Sequence, residues 1–413
     1  MIRGNTVTQA KGVTVTRRSI QEYLAAQRER YQRASRDTRR RLLDEMGAVT
    51  GYHRKALIRQ LRPTRPRPLG GRPVGRPRQY GPAVAAAAQV LWEATGQIGA
   101  KRLQPFVPEL LERLAACGEL RVAPPTATLL RQASISTLER LLAPARRTEP
   151  RRGPSLTRPG AWLKAQIPLR TFAEWDDATP GFLEVDLVAH CGESPAGFFL
   201  HTLCAVDVAT GWVELQPLWG KGHRRVTAAL HEVRRRLPVP VRGLDTDNGS
   251  EFINRPLYYY CGREGITFTR SRPYRKNDSA HVEQKNGAII RALVGYDRYT
   301  SRAAYAQLGR VYRLVRLHAN FFQPVQRLLH KARQGARVHR VYDRAQTPYQ
   351  RLCARPALAP GSQQALATLY RSLNPLQLRR EIDAALTTLW RLATRAPAPL
   401  TASQRLRMAA ALR

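Results

Sequence analysis

Three carboxylates occupy positions where a charged side chain indicates chemistry. Asp186 lies inside the apolar run FLEVDLVAH, which predicts a buried β-strand. Asp247 ends a second apolar run and precedes an Asn-Gly turn, and Glu283 lies in residues 279–294, which predict a helix. A buried carboxylate is costly unless a cation or hydrogen-bond donors compensate its charge. Asp186 in particular therefore indicates a functional site.

These three side chains can converge on one point. In a mixed sheet the first strand, which carries Asp186, and the fourth, which carries Asp247, can be neighbours, with the helix of Glu283 packed over their ends. Converging carboxylates repel each other unless divalent cations lie between them. Oxygen ligands without thiolates or paired histidines favour Mg²⁺ or Mn²⁺ over zinc. Two such ions about 4 Å apart would activate an attacking oxygen and stabilise a leaving oxygen in phosphoryl transfer.

The elements around the carboxylates predict an α/β domain. Three successive strands precede the first helix, and strands and helices then alternate. Consecutive strands followed by crossover connections predict a mixed five-stranded sheet with flanking helices. The predicted strands are 182–190, 197–208, 212–219, 241–247 and 266–271, and the predicted helices are 222–237, 254–263 and 279–294.

The charge distribution predicts a polyanionic partner. The chain has 413 residues, with 69 Lys and Arg, 30 Asp and Glu and a formal net charge of +39. Residues 174–297 hold 15 basic and 16 acidic side chains, so the excess positive charge lies in the flanking segments. A GC-rich genome explains a preference for Arg over Lys but not the net charge. Nucleic acid is the first candidate partner, which would make a phosphodiester the substrate; a membrane surface comes second, because no basic amphipathic helix with an aromatic apolar face stands out.

The same sequence argues against several protein classes. A hydrophobic fraction of 43% is too high for a wholly disordered chain. No run of 18 apolar residues predicts a transmembrane helix, and the first residues lack the apolar core of a signal peptide. The five cysteines form no CxxC pair, which argues against a structural zinc site or a disulfide framework. We expect a cytoplasmic protein with no membrane partner.

Basic helical segments precede the predicted sheet. Two short apolar-periodic stretches separated by a Gly-containing turn predict a helix-turn-helix within residues 1–62. Its second helix carries Arg54, Lys55 and Arg59, which fit either a DNA-reading helix in the major groove or a helical hairpin with a solvated basic face. Residues 83–147 predict a second helical module that also resembles a helix-turn-helix.

A basic linker rich in Pro and Gly, residues 63–82, separates the two helical modules. Its Gly-Arg-Pro sequences place Arg72, Arg76 and Arg78 in a pattern that resembles AT-hook minor-groove binders. The same composition also fits a flexible basic tether. A second basic linker, residues 148–173, leads into the predicted sheet domain.

The C-terminal third, residues 301–413, is basic and is predicted to be mainly helical. Residues 326–351 are strongly basic, and contact with the phosphate backbone is their expected role. Residues 362–395 predict two helices with an apolar face, which fits either oligomerisation or packing within the chain. The apolar residues at helical spacing are Leu378, Ile382, Leu386 and Leu389.

The sequence around the three carboxylates resembles DDE transposases and retroviral integrases. LDTDNGSEF (244–252) is similar to the motif that carries the second Asp of that family, and DSAHVEQKNG (278–287) is similar to its Glu helix. Between Asp247 and Glu283 lie 35 residues, the spacing for which the Asp-Asp-35-Glu family is named. Asp186 in FLEVDLV resembles the first Asp. The helix-turn-helix segments and the absence of CxxC resemble bacterial insertion-sequence transposases rather than retroviral enzymes.

The resemblance implies an RNase H-like catalytic core at residues 174–300, with two Mg²⁺ or Mn²⁺ ions bound by Asp186, Asp247 and Glu283. It implies metal-dependent cleavage at the ends of an insertion sequence, followed by attack of the freed 3′-OH on target DNA. The expected partners are double-stranded DNA, as element ends and as target, and further copies of the chain, in association with the bacterial nucleoid. A non-transposing DNA nuclease and a catalytically inactive DNA-binding protein on the same core are the alternatives.

Four polar residues lie close in sequence to the three carboxylates. Lys285 and Asn286 follow Glu283, and the resemblance implies that they could contact DNA phosphates. Glu184 shares a strand face with Asp186, because strand side chains alternate, and it is expected to support the site or to end the strand. Asp245 precedes Asp247 by two residues and is expected to be structural.

Overall fold

A computed structural model describes residues 16–62, 79–148, 179–247, 249–271, 280–334, 337–356 and 358–394. The chain divides into two compact units, Met1–Pro77 and Arg78–Arg413. Among the helices of the described ranges, none combines the length and the apolar character that a bilayer crossing requires.

The N-terminal unit is a three-helix cluster. Ser35 caps the second helix, and Gly51, which follows that helix with a φ of 69°, adopts the left-handed conformation that lets the chain turn into the third. The two helices of the predicted helix-turn-helix are therefore present. The helices are α1 (Arg17–Arg33), α2 (Arg36–Thr50) and α3 (Arg54–Leu61), and their core consists of Ile20, Leu24, Leu42, Leu43, Met46, Leu57 and Leu61.

The larger unit begins with a helical module. Its apolar side chains form one core with the C-terminal helices, because Leu91, Leu103 and Leu110 pack in the same cluster as Phe321 and Phe322. The module and the C-terminal helices are thus one packed body. The helices of the module are α4 (Pro82–Ala94), α5 (Ala100–Leu103), α6 (Val107–Ala116), α7 (Pro124–Gln132) and α8 (Ile135–Leu142).

The sheet has the predicted five strands and the predicted mixed character. The strand order is β3-β2-β1-β4-β5. Strand β2 pairs antiparallel with β1 and β3, whereas β4 pairs parallel with β1 and β5. This arrangement, with helices on both faces, is the RNase H-like fold. The strands are β1 (Phe182–Ala189), β2 (His201–Asp207), β3 (Val213–Leu218), β4 (Gly243–Thr246) and β5 (Thr267–Arg270).

Helices cover both faces of the sheet. One face carries α9 (His223–Arg236) and α10 (Arg255–Arg263), whose apolar side chains pack with Leu183, Val185 and Leu203. The segment that follows β5 is expected to be one helix, but it has three parts. It consists of α11 (Ala280–Lys285), a π-helical turn (Asn286–Arg291) and α12 (Ala292–Val294).

The C-terminal region covers the other face and is mainly helical, as predicted. It also contains an antiparallel hairpin, β6–β7, that the sequence analysis missed. The apolar residues at helical spacing in the last helix are buried within the chain, which supports the packing alternative. The elements are α13 (Arg302–Phe322), β6 (Leu328–Gln334), β7 (Arg337–Tyr342), α14 (Pro348–Cys353), α15 (Pro360–Ser372) and α16 (Pro375–Arg391), and the buried residues are Leu378, Ile382, Leu386 and Leu389.

A fully buried carboxylate joins three of these elements. Glu214 on β3 accepts hydrogen bonds from Nε of Arg316 at 2.6 Å, Nε of Arg236 at 3.0 Å and Nε1 of Trp212 at 3.0 Å. Two arginines and an indole thus compensate its charge, and they connect β3 with α9 and α13. A buried charge that is compensated in this way becomes destabilising when one partner is removed.

Asn320 on α13 completes the edge of the sheet at β3. Its Oδ1 accepts a hydrogen bond from the backbone N–H of Val213 at 2.8 Å, and its Nδ2 donates to the carbonyl of the same residue at 2.9 Å. The side-chain amide therefore supplies the donor and the acceptor that a neighbouring strand would supply.

We expect Glu214→Ala to lower the free energy of unfolding by about 3–5 kcal/mol, because it leaves two guanidinium groups without their carboxylate. Urea unfolding followed by tryptophan fluorescence measures the change. Glu232→Ala removes an exposed carboxylate paired with Arg235 and is expected to cost less than about 1 kcal/mol. Equal losses in the two variants would contradict this account of Glu214.

Candidate active site

The sheet places Asp186 beside Asp247. In the parallel pairing of β1 with β4, Glu184 is opposite Asp245 and Val185 is opposite Thr246. Asp186, inside β1, and Asp247, directly after β4, are the next residues in this register, so they lie next to each other at the carboxyl end of β4. The convergence of these two residues was inferred from the order of the predicted strands, and the register gives it a geometric basis.

Glu184 attaches the helix of Glu283 to the same strand. The Oε2 atom of Glu184 accepts hydrogen bonds from the backbone N–H groups of His281 at 2.8 Å and Val282 at 3.0 Å, in the first turn of α11. Glu184 is only 1% exposed. The carboxylate of a β1 residue thus satisfies two N–H groups that have no partner within the helix. It fixes the start of the helix two residues before Glu283, which is itself exposed.

Asn286 holds the carboxylate of Asp186. Its Nδ2 donates a hydrogen bond to Oδ2 of Asp186 at 2.7 Å, while Oδ1 of Asp186 accepts from the backbone N–H of Leu187 at 2.7 Å. Asn286 is the first residue of the π-helical turn, a wider turn that is frequent at functional sites. Its amide therefore orients an acidic side chain, and contact with phosphate stays a prediction.

The three carboxylates influence one another electrostatically. Burial, followed by the negative charges of Asp247 and Glu283, raises the pKa of Asp186 to about 7. Neighbouring protein atoms also remove water from the carboxylate of Asp247 and raise its pKa, although the residue as a whole is exposed. Asp186 therefore lies within electrostatic reach of the other two predicted carboxylates.

Glycine at position 249 leaves room for the acidic side chains of the loop after Asp247. The backbone N–H of Gly249 donates to Oδ1 of Asp247 at 3.0 Å. A Cβ atom at this position would lie 3.0 Å from that same oxygen and 2.8 Å from Cδ of Glu251. A larger residue would therefore displace the two acidic side chains. The Asn-Gly turn recognised in the sequence is the signal for this constraint.

Two charged residues next to Asp247 were missed in the sequence. Glu251 raises the pKa of Asp247 through its negative charge, and Lys221 lowers it through its positive charge. The Nζ atom of Lys221 lies 3.8 Å from Oε2 of Glu251. Glu251 lies inside the LDTDNGSEF motif, which could have signalled its proximity, whereas nothing in the sequence places Lys221 there.

Lys285 lies in the core rather than on an open surface. It is 7% exposed, and burial lowers its pKa to about 8, with the thiol of Cys204 raising it and the guanidinium of Arg102 lowering it further. Its predicted contact with DNA phosphate remains untested. Asp245, which was expected to be structural, is buried and accepts a hydrogen bond from Oγ1 of Thr269 at 2.7 Å.

The remaining predicted DNA contacts belong to other parts of the sequence. Arg54, Lys55 and Arg59 are exposed on α3 of the N-terminal unit, where Nη1 of Arg54 pairs with Oδ1 of Asp44 at 2.6 Å. The other three lie outside the described residues. They are Arg72, Arg76 and Arg78.

The donor chemistry of the site fits divalent hard cations. Asp186, Asp247 and Glu283 offer carboxylate oxygens, and the raised pKa of Asp186 reflects negative charge that a cation would compensate. In the present arrangement of the described residues, no three His, Cys, Asp or Glu side chains form a group that could hold a metal ion. The carboxylate oxygens of the three residues match Mg²⁺ or Mn²⁺ in donor type and in charge, although their present positions do not form a complete ligand group.

Comparison with known proteins places the chain in a family. No family model matches it. It is 44% identical over 316 residues to the uncharacterized protein y4rM of Sinorhizobium fredii, an alignment that covers 76% of this chain and 89% of that protein. The chain belongs to the y4rM family.

This y4rM-family chain is also similar over part of its length to foamy virus Pro-Pol polyproteins, which supports a DDE integrase-type family. Pro-Pol polyproteins of simian foamy virus type 1 and feline foamy virus are 31% and 29% identical to it over 99 residues. Each match covers 24% of this chain and 8% of the polyprotein.

Two solved structures were also compared with the chain. The HTLV-2 integrase catalytic core domain in complex with magnesium is 17% identical, with a TM-score of 0.28, and the match covers 35% of this chain and 90% of that domain. The simian T-cell lymphotropic virus intasome in complex with the PP2A regulatory subunit B56 gamma is 15% identical, with a TM-score of 0.31. That match covers 60% of this chain and 76% of the compared chain.

Glu184→Ala is expected to release the first turn of α11. Backbone amide hydrogen exchange at His281 and Val282 should accelerate at least about 10-fold, because two N–H groups lose a charged acceptor. Asn254→Ala is a matched control, since Oδ1 of Asn254 caps α10 through the N–H of Leu257 at 3.0 Å. Faster exchange in α11 with the control variant, or unchanged exchange with Glu184→Ala, would contradict this role of Glu184.

The raised pKa of Asp186 predicts a pH-dependent stability difference. The protonated acid is the form that the folded site favours, so its stabilising contribution is complete below about pH 4 and is lost as the pH rises through about 7. Asp186→Asn removes this loss. With a chelator present, the variant should gain about 2 kcal/mol relative to wild type between about pH 5 and about pH 8, measured by urea unfolding. A difference that does not change with pH would contradict the assignment.

Proposed function

We propose that the chain is the transposase of a bacterial insertion sequence. It would cleave DNA at the element ends and join the freed 3′-OH to target DNA. The observation that carries the proposal is the electrostatically linked group of Asp186, Asp247 and Glu283 at one edge of an RNase H-like sheet. The order and spacing of these residues match the Asp-Asp-35-Glu pattern.

The three carboxylates would hold two Mg²⁺ or Mn²⁺ ions. Ions bound there would lower the pKa of an attacking hydroxyl group and stabilise the leaving oxygen. The other residues prepare the carboxylates for this role. Asn286 and the N–H of Leu187 orient Asp186, and Glu184 keeps the helix of Glu283 on β1.

Charge near the carboxylates supports a phosphodiester as the substrate. Lys221 lies beside the acidic side chains of the Asp247 loop and supplies a cation that can approach a phosphate. In the described region Lys221 is exposed. The segment around the carboxylates, residues 174–297, is nearly neutral, and the flanking segments are basic. The flanking segments could therefore hold DNA, while the segment around the carboxylates would not repel metal ions.

The flanking segments are proposed to bind double-stranded DNA. The helix-turn-helix of residues 1–62 presents Arg54, Lys55 and Arg59 on an exposed helix. The linker 63–82, the helical module 83–147 and the region 301–413 would add contacts along the DNA. Copies of the chain would assemble on the two element ends, with the protein associated with the bacterial nucleoid.

A strand-transfer assay tests the proposal. The substrate is DNA that carries the candidate element ends, taken from the sequence flanking the gene, with Mg²⁺ or Mn²⁺. Wild type should give metal-dependent joined products, and Glu283→Gln should reduce them at least about 100-fold, because a metal ligand loses its charge. Glu193→Gln, the same change at an exposed site on the β1–β2 loop, should leave joining intact.

The products decide between the proposed function and its alternatives. Cleavage without joining would replace the transposase with a DNA nuclease on the same core. DNA binding without cleavage or joining by wild type would identify a binding protein. Equal joining by wild type and Glu283→Gln would overturn the assignment of the carboxylates.

A further inference from the structure

Hydrogen bonds at both ends of the β6–β7 ribbon attach it to the rest of the domain. Val325 and Gln346 exchange two backbone hydrogen bonds of 2.8 and 3.1 Å just before β6 and just after β7. Asp343 accepts from the backbone N–H of Arg327 at 2.7 Å and from Nη1 of Arg351 at 2.7 Å. These contacts tie both ends of the ribbon to the start of α14, so the orientation of the ribbon is fixed where it leaves the body of the protein.

Both faces of the ribbon are open at its base. Leu328 and Leu329 are successive residues of β6 and are 48% and 66% exposed, and Val341 and Tyr342 are successive residues of β7 and are 40% and 48% exposed. The register of β6 shifts between Leu328 and His330, so the alternation of faces is regular at the β7 pair, and Val341 and Tyr342 point to opposite faces. The ribbon therefore does not lie flat on the protein, and an isolated two-stranded ribbon is at best marginally stable without a partner.

The charge of the ribbon identifies the chemistry of that partner. Residues 298–342 contain no acidic residue, and Lys331 and Arg340 are opposite each other in the ladder. Like charges at directly opposed positions destabilise a ladder, and a polyanion would remove this repulsion. A second copy of the chain carries the same large positive charge, so charge complementarity favours nucleic acid. The basic residues of the ribbon are Lys331, Arg333, Arg337 and Arg340.

We propose that the β6–β7 ribbon inserts into the major groove of duplex DNA. The major groove admits a two-stranded β-ribbon, whereas the minor groove is about half as wide. Basic side chains along the ribbon would reach the phosphates on either side and the base edges, and the apolar residues at its base would contact sugars and thymine methyl groups. The inference rests on the proposed DNA-binding function and assigns to one element a defined way of holding the substrate.

The salt dependence of DNA binding tests the ribbon. The full-length chain is titrated with duplex DNA of mixed sequence at several salt concentrations, and the double variant K331A/R340A is compared with wild type. The slope of log K against log salt should fall by about 1–2, because each lost phosphate contact lowers it by about 0.9. R121A/R371A removes two exposed charges of the same unit away from the ribbon and should change the slope by less than about 0.5.

Groove ligands then distinguish the mode of binding. Methyl green, which occupies the major groove, should displace wild type more effectively than it displaces K331A/R340A, whereas netropsin, a minor-groove ligand, should not discriminate between them. Equal slope changes in the two double variants, or discrimination by netropsin alone, would overturn the inference. A change in the oligomeric state of K331A/R340A without DNA would assign the ribbon to contact between copies and would also overturn it.

The experiments can disprove the ribbon inference separately from the proposed function. If wild type joins DNA and K331A/R340A binds duplex DNA with an unchanged salt slope, the ribbon inference alone is wrong. If wild type binds no duplex DNA, the proposed function is wrong and the ribbon inference falls with it.

Discussion

The hydrogen bonds between Glu184 and the first turn of α11 join parts of the chain that are almost 100 residues apart. The remaining geometry of the carboxylate site depends on them. The parallel pairing of β1 with β4 brings two aspartates to one edge, but the position of Glu283 depends on how its helix is attached. The buried carboxylate of Glu184 supplies that attachment at the helix start. One turn later, the side-chain amide of Asn286 makes a second attachment to β1 by donating a hydrogen bond to Asp186. The strand therefore controls both ends of the helical turn that carries the third acidic residue.

The strands that carry or precede the two aspartates were predictable because each has a local signal. The apolar run around Asp186 and the turn after Asp247 fix a strand and its end, and β1 and β4 begin and end within two residues of the predicted limits. The attachment by Glu184 was not predictable in this detail. Alternation showed that Glu184 shares a face with Asp186, but only tertiary packing determines which backbone groups reach it.

Other features escaped the sequence for identifiable physical reasons. The extra residue of the π-helical turn leaves no mark on a helical periodicity of 3.6 residues, so residues 279–294 were expected to be one regular helix. The β6–β7 ribbon lacks the alternation of apolar and polar residues that predicts a strand, since neither of its faces is buried at the base. Lys221 comes from a loop far from Asp247 in sequence, and no spacing rule connects the two.

The way in which Asn320 occupies the edge of β3 limits how copies of the chain can associate. An exposed edge strand is a template for pairing with another molecule, including a second copy of the same chain. The side-chain amide uses the donor and the acceptor of Val213, and Glu214 and its arginines hold the neighbouring residue under α13. A sheet that continues from one copy into the next across β3 would have to displace both. The β3 edge of the sheet is thereby closed to the edge-to-edge aggregation that an open edge strand would promote between copies of the chain.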